Sequence, residues 1–237
     1  GRCSLRGLEG CRSRGGDAAL ATRARCGLWR AALSRALPEP AQALLQQIAD
    51  GLTELAAEAF STVAAYHAEI AAYLNQISGN TFPRRLAIVL EKVDDLRYGE
   101  NPHQRAAFYR ETTHRSGTLA DATRIAGDLP SFNNLMDLDA AYRIARDYTA
   151  PTVAIVKHTD PVGLASHDEL VEAYRHALET DPVASFGGIV GVNRELDGAT
   201  AREIAANAYE AVVAPSYSQS ALGILRAKHG LEILAVP

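Results

Sequence analysis

Cysteine is confined to Cys3, Cys11 and Cys26, and the single tryptophan, Trp29, falls just beyond them in the 237-residue chain. Everything after Cys26 is therefore without disulfides, thiol nucleophiles or cysteine-ligated metal, a composition that suits a reducing compartment. The three cysteines are spaced by eight and fifteen residues, with no C-x-x-C pair or neighbouring histidine, which argues against a zinc site among them. No uninterrupted apolar stretch nears the ~18 residues of a membrane-spanning helix. A basic surplus is also missing: 24 Lys and Arg against 28 Asp and Glu give a net charge of -4, which excludes a nucleic-acid partner held mainly by charge. The phosphate-loop and nucleophile-elbow patterns, G-x-x-x-x-G-K-[ST] and G-x-S-x-G, do not occur. Gly187-Gly188-x-x-Gly191 lies in a strand-like run instead of opening a helix, so it is no dinucleotide fingerprint. His67-Ala-Glu69 is the first half of a zinc-deaminase signature whose second half needs cysteines absent after Cys26. No metal is expected.

With 47% hydrophobic and 22% charged residues, the composition is that of an ordinary globular protein, long enough for one sizeable core or two small ones. Its charge is unevenly spread. Residues 1–36 hold eight arginines against Glu9 and Asp17, a surplus of six that leaves the remainder at -10. This leader is Arg-rich and acid-poor like a transit peptide, yet it has neither an apolar stripe at helical spacing nor a secretory apolar core. Residues 1–45 are read as standing outside the fold. The chain, which opens on Gly1 and stops in an apolar run at Pro237, is read as a piece cut at both ends.

From about Ala41 the pattern is helical: Leu52, Leu55, Ala59, Val63, Tyr66, Ile70 and Leu74 recur at steps of three and four, one apolar face of a long amphipathic helix. Gly79-Asn-Thr-Phe-Pro83 breaks it, and Leu86–Leu90 reads as a short strand. Beyond this, strands at Thr152–Val156, Gly188–Val192, Ala211–Ala214 and Leu231–Leu234 alternate with helices at 134–148, 167–180, 199–209 and 218–228. That alternation predicts an α/β fold with a mainly parallel or mixed sheet covered by helices on both faces. Ligands of such sheets sit beyond the carboxyl ends of strands.

Lys157-His158 follows the strand at Thr152–Val156, and Pro161 and Gly163 are expected to turn the chain there, so the pair should stand at the sheet's carboxyl edge. An imidazole beside an ammonium suits proton removal from a nucleophile with stabilisation of developing negative charge, and the ammonium favours the neutral, base-competent ring. A polar strand end in solvent accounts for the same residues. In Leu96–Gln104, Arg97 offers a planar donor fork for phosphate or carboxylate, or the segment is a solvated loop. Asn133 and Asn134 precede a helix, where one caps it or reads a ligand amide. Gly187-Gly188 either let a ligand approach the backbone or serve packing, and Glu210 is a carboxylate at a strand start or a plain surface acid.

Taken in order, LRYGENPHQ (96–104), SFNNLMDLDAAY (131–142), VKHTDPVG (156–163), DPVASFGGIVGVN (181–193) and VVAPSYSQSALGIL (212–225) resemble one family. It is the bifunctional purine-biosynthesis enzyme that joins an aminoimidazole carboxamide ribonucleotide transformylase to an IMP cyclohydrolase. The resemblance begins near Leu55 and covers roughly three quarters of the chain. It implies a three-layer α/β/α, cytidine-deaminase-like transformylase subdomain without zinc over 96–237, preceded over 46–95 by a long helix and connector from the end of the cyclohydrolase domain. It further implies His158 as proton acceptor and Lys157 as transition-state stabiliser, with Arg97, Tyr98, Asn134, Gly187 and Glu210 as substrate contacts. The implied reaction moves a formyl group from the cosubstrate 10-formyltetrahydrofolate to the 5-amino group of the ribonucleotide, in a cytoplasmic homodimer. A noncatalytic ribonucleotide-binding or dimerisation piece is the alternative.

The chain departs from the family's pattern at several points. Residues 1–45 do not resemble the cyclohydrolase domain, so its catalytic lysines have no counterpart, and the second transformylase subdomain is not expected within this sequence. Asp160 stands where Asn is common, Val162 where a small residue or Cys is, and His67 where an acid is usual. Asp160 raises the pKa of His158 if the two touch.

Overall fold

The computed structural model describes residues 38–112 and 117–236, so of the stretch 1–45 read as standing outside the fold the first 37 residues lie outside the described residues, while 39–45 belong to a helix. The chain divides into two compact units, Gly1–Ala87 and Ile88–Pro237. In the first, the repeating apolar residues form α1 (Glu39–Ile77), 39 residues long, with a proline in its first turn. It stops where Gly79 takes a φ of 68°, a left-handed value that glycine adopts without a Cβ penalty. None of its residues is buried, and Leu52 and Phe60 remain 62% and 76% exposed.

The second unit opens with a two-stranded antiparallel ladder, β1 (Leu90–Asp95) and β2 (Ala107–Glu111), paired from Leu90↔Glu111 to Asp95↔Ala107. The strand expected at Leu86–Leu90 is thus displaced towards the carboxyl terminus. Pairing, not apolar content, decides where a strand forms: among the described residues the ladder begins at Leu90↔Glu111, with Val89 O accepting Thr112 N–H at 3.2 Å just outside it.

The remaining elements are β3 (Thr123–Ala126), α2 (Phe132–Arg146), β4 (Thr152–Lys157), β5 (Asp160–Ser166), α3 (Leu170–Thr180), β6 (Ile189–Val192), α4 (Gly198–Ala206), β7 (Ala211–Ala214), α5 (Gln219–Arg226) and β8 (Glu232–Ala235). Six strands form one sheet in the order β3-β8-β7-β6-β4-β5, with β6, β7 and β8 parallel and β4 antiparallel to both its neighbours. The sheet is therefore mixed. Leu138, Ala141 and Tyr142 of α2 pack on Val156, Ile189 and Val213 on one face. On the other, Tyr174 of α3, Ile204 of α4 and Leu225 of α5 cover Val153, Ile155 and Val190. Three α/β/α layers result, and the strand residues that face both ways explain why β4 reads as an unbroken apolar run.

One expected turn is corrected. Pro161 and Gly163 do not turn the chain; they lie within β5, the edge strand of the sheet. The turn is instead a two-residue hairpin loop, His158-Thr159, closed by the Lys157↔Asp160 pair. Proline is tolerated in β5 because an edge strand leaves backbone donors unused, and the register shift between Ile155 and Val156 marks a bulge at the same place. Gly163 has a packing reason: a Cβ there would overlap the carbonyl of Ala177 on α3.

Candidate active site

Because β4 runs against β6, β7 and β8, its carboxyl end coincides with their amino ends: Val156 pairs with Ile189, Ile189 with Ala211, and Ala211 with Glu232. This end of the sheet is thus the carboxyl end of β3 and β4 and the amino end of β6, β7 and β8. The segments that hold Arg97, Asn134, Lys157, Gly187 and Glu210 collect at this end of the sheet, whereas 212–225 leads away from it through β7. Glu210 N–H donates to Gly188 O at 3.0 Å and Glu232 N–H to Glu210 O at 2.9 Å, a hydrogen-bonded row across the strand starts.

Lys157, half-buried at the end of β4, donates from Nζ to Phe186 O at 2.7 Å, which draws the ammonium towards the loop before β6. His158 and Thr159 have φ of 56° and 65°, the primed-turn geometry that two-residue hairpins need and that side chains with a Cβ resist. Asp137, on the second turn of α2, holds them there. Its Oδ2 accepts His158 N–H at 3.0 Å and its Oδ1 accepts Thr159 N–H at 2.6 Å. The imidazole of His158 is exposed beyond this clamp. Asp160 faces Lys157 across the hairpin.

The start of α2 organises the other side. Ser131 caps the helix by accepting Asn134 N–H at 3.1 Å and donates to Asn134 Oδ1 at 2.9 Å, so neither asparagine is the cap. Asn134, buried, is left with its amide nitrogen for Glu232 Oε1, at 3.3 Å. Arg97 N–H donates to Pro130 O at 3.3 Å and Phe132 N–H to Tyr98 O at 3.2 Å, two rungs that tie the Arg97-Tyr98 segment to this helix start. The exposed Arg97 guanidinium sits 5.1 Å from the centre of the Tyr98 ring. Gly187 has a φ of 72° with open space where a Cβ would be, so glycine is needed there for backbone conformation. Gly187 N–H bonds to Ala208 O at 2.7 Å, and Glu210 is exposed beside it in the row. The preceding residue, Tyr209, is anchored in the core by a 3.1 Å bond to the Tyr174 hydroxyl.

Four residues escaped the sequence reading: Ser131, Asp137, Phe186 and Glu232. Glu232 is the least expected. Only 4% exposed, it has one oxygen on Asn134 and, among the described residues, no donor on Oε2. Burial pushes its carboxyl from an ordinary 4.5 up to about 7, against the Asn134 bond and the Arg97 charge, which favour ionisation, and with Glu210 and Asp128, which oppose it. A signal was visible, since Glu232 is the one acid in the apolar run Leu231–Val236. Among the described residues, no group of three or more His, Cys, Asp or Glu is placed to hold a metal ion.

A family model described as AICARFT/IMPCHase bienzyme matches residues 42–237, beginning further upstream than the resemblance near Leu55. The chain is 44% identical over 183 residues to the bifunctional purine biosynthesis protein PurH of Bacillus cereus, covering 77% of this chain and 36% of that one. It is 46% identical over 187 residues to PurH of Myxococcus xanthus, covering 78% and 36%. With PurH of Sorangium cellulosum it shares 44% over 192 residues, covering 76% and 37%. The chain thus spans little more than a third of the length of these curated relatives. With its mixed sheet, its α/β/α layers and a match over most of its length, the chain belongs to the AICARFT/IMPCHase bienzyme family.

Proposed function

We propose that the second unit supplies the ribonucleotide side of a formyl-transfer site in purine biosynthesis, moving a formyl group from 10-formyltetrahydrofolate to the 5-amino group of aminoimidazole carboxamide ribonucleotide. The observation that carries this reading is the convergence of five sequence-separated segments on one end of one sheet. An aromatic amine is a weak nucleophile, and in this reading His158 takes its proton as the amine attacks. The clamp by Asp137 fixes the backbone from which the imidazole projects. Lys157 has one donor committed to Phe186 O, and the remaining two serve negative charge that develops in the transition state. Arg97, stacked on Tyr98, takes the anionic part of the ribonucleotide. Gly187, free of a side chain, lets a ring lie on the backbone, and Glu210 and Asn134 meet its polar edge. No residue of this chain is assigned to the cyclisation that gives IMP. A cytoplasmic homodimer is the expected setting.

A second reading, ribonucleotide binding without turnover, draws on the exposure of Arg97, His158 and Glu210, which leaves the site an open face. The two are separated by one pair of measurements. Calorimetry on this chain is expected to register ribonucleotide binding. A chimera carrying residues 42–237 in place of the matching stretch of the Bacillus cereus relative is expected to transfer an isotope-labelled formyl group. Binding without transfer in the chimera selects the second reading. Absence of both, with ligand on the order of millimolar, sinks the two together.

A further inference from the structure

Glu232 is a buried acid at the edge of a site read here as anion-binding, and the mechanism leaves it unused. Asn134 of α2 bonds it, and the charges of Arg97 in the segment after β1, Glu210 at the start of β7 and Asp128 in the turn after β3 act on it. Gly127 closes the remaining side so tightly that a Cβ would come within 2.7 Å of Glu232 Cα. Of the three charged neighbours, one attracts a carboxylate and two repel it. Arg97 is the one cation in that balance, and its guanidinium is exposed and so open to an incoming anion.

We propose that Glu232 takes up a proton when the anionic ribonucleotide binds, making it a residue that couples ligand charge to the protonation of the site. An anion on Arg97 cancels the attraction of the one cation acting on the carboxylate and adds negative charge nearby, while the Asn134 bond, Glu210 and Asp128 stay in place. Protonation of Oε2 from solvent restores the balance, and no other bond changes. By linkage, affinity rises as pH falls through the neutral range. The raised proton affinity of this carboxyl before any ligand arrives puts the uptake within reach of pH 7 to 8. The inference rests on the ribonucleotide reading above, and it adds to that reading a residue and a proton.

The test is calorimetric titration of this chain with aminoimidazole carboxamide ribonucleotide at pH 7.5, in buffers of different ionisation enthalpy. If binding raises the proton affinity of Glu232 about tenfold, about half a proton enters per ligand bound. The phosphate of the ligand has a second ionisation near pH 6, and its binding to a cation releases protons, the opposite sign. Glu232→Gln is expected to abolish the uptake and flatten the pH dependence of affinity, with circular dichroism checking that the fold survives. Asp128→Asn, outside the binding residues, removes one repulsion and is expected to move the uptake window to lower pH. Uptake that persists unchanged in Glu232→Gln, such as from His158, overturns the proposal, as does a window that Asp128→Asn leaves in place. Binding with no proton uptake defeats this inference alone, whereas a chain that binds no ribonucleotide defeats the reading beneath it.

Discussion

Two places in the site break general rules of folded chains, and they do so differently. At His158-Thr159, two residues with side chains hold positive φ, and the deviation is answered by two backbone hydrogen bonds to one carboxylate, Asp137. At Glu232, a buried carboxyl oxygen, Oε2, has no hydrogen-bond donor among the described residues. The first is a strain held by its surroundings, the kind of preorganisation that fixes a group for chemistry. The second is a group left unsatisfied, free to change protonation state. One side of the site is built to stay still and the other to respond.

The sharpest way to break the first half of that comparison is at the imidazole. His158→Ala in the chimera is expected to lower the formyl-transfer rate by roughly 10²- to 10⁴-fold, the range of general-base contributions, with ribonucleotide affinity within about threefold of the parent. Single-turnover transfer and calorimetry read the two quantities separately. Full rate in that variant would show that the held turn presents nothing to the reaction.

Asp137→Ala removes the clamp and leaves two amides of the strained turn without acceptors. A loss on the order of 2–4 kcal/mol of stability is expected, from two charge-assisted bonds, with Asp137→Asn falling between because its amide keeps one acceptor. Urea unfolding measures the loss, and hydrogen exchange at the His158 and Thr159 amides locates it. Unchanged protection of those amides in Asp137→Ala would remove the clamp from the account.

For Glu232 the sign follows from linkage. Its carboxyl binds a proton more tightly when folded than at the ordinary 4.5, so its share of stability is intact below about pH 4.5 and is lost as pH rises to and past about 7. The whole loss is on the order of 3–4 kcal/mol. Glu232→Gln is expected to flatten that slope, seen as convergence with the parent in acid and greater stability than the parent above neutrality. A parallel pair of pH curves would mean that the carboxyl is as well solvated folded as unfolded.

What the sequence disclosed follows the range of the interactions involved. β4, β6, β7 and β8 are short apolar runs buried in the sheet, and α2 to α5 carry their own apolar faces, so local pattern sufficed for them. β2 and β3 are partly exposed, and the Pro and Gly of β5 read as a turn until an edge position excuses the one and the close approach of Ala177 explains the other. The apolar stripe of α1 identified a helix, but spacing alone says nothing of burial, and none of its residues is buried. In the site, Lys157, Gly187 and Glu210 were legible because they flank strands. Asp137 was not, since its partners lie 21 or 22 residues away, a distance over which no motif operates, and for Glu232 the sequence shows a lone acid in an apolar run but not its Asn134 partner 98 residues away.

The smallest effect probes whether the turn is strained or merely unusual. Thr159 is β-branched and sits at a φ of 65°, where its Cβ crowds the backbone, and its hydroxyl offsets part of this by donating to His158 O at 2.6 Å. Asparagine tolerates the left-handed region far better and is favoured in primed hairpin turns. Thr159→Asn exchanges the lost hydroxyl bond for relief of a steric cost of roughly 1–2 kcal/mol, so a net gain of about 0.5 kcal/mol is expected, with the register of β4 and β5 unchanged. A loss of similar size would mean that the hydroxyl bond outweighs the crowding, and the turn would then be held from within as much as by Asp137.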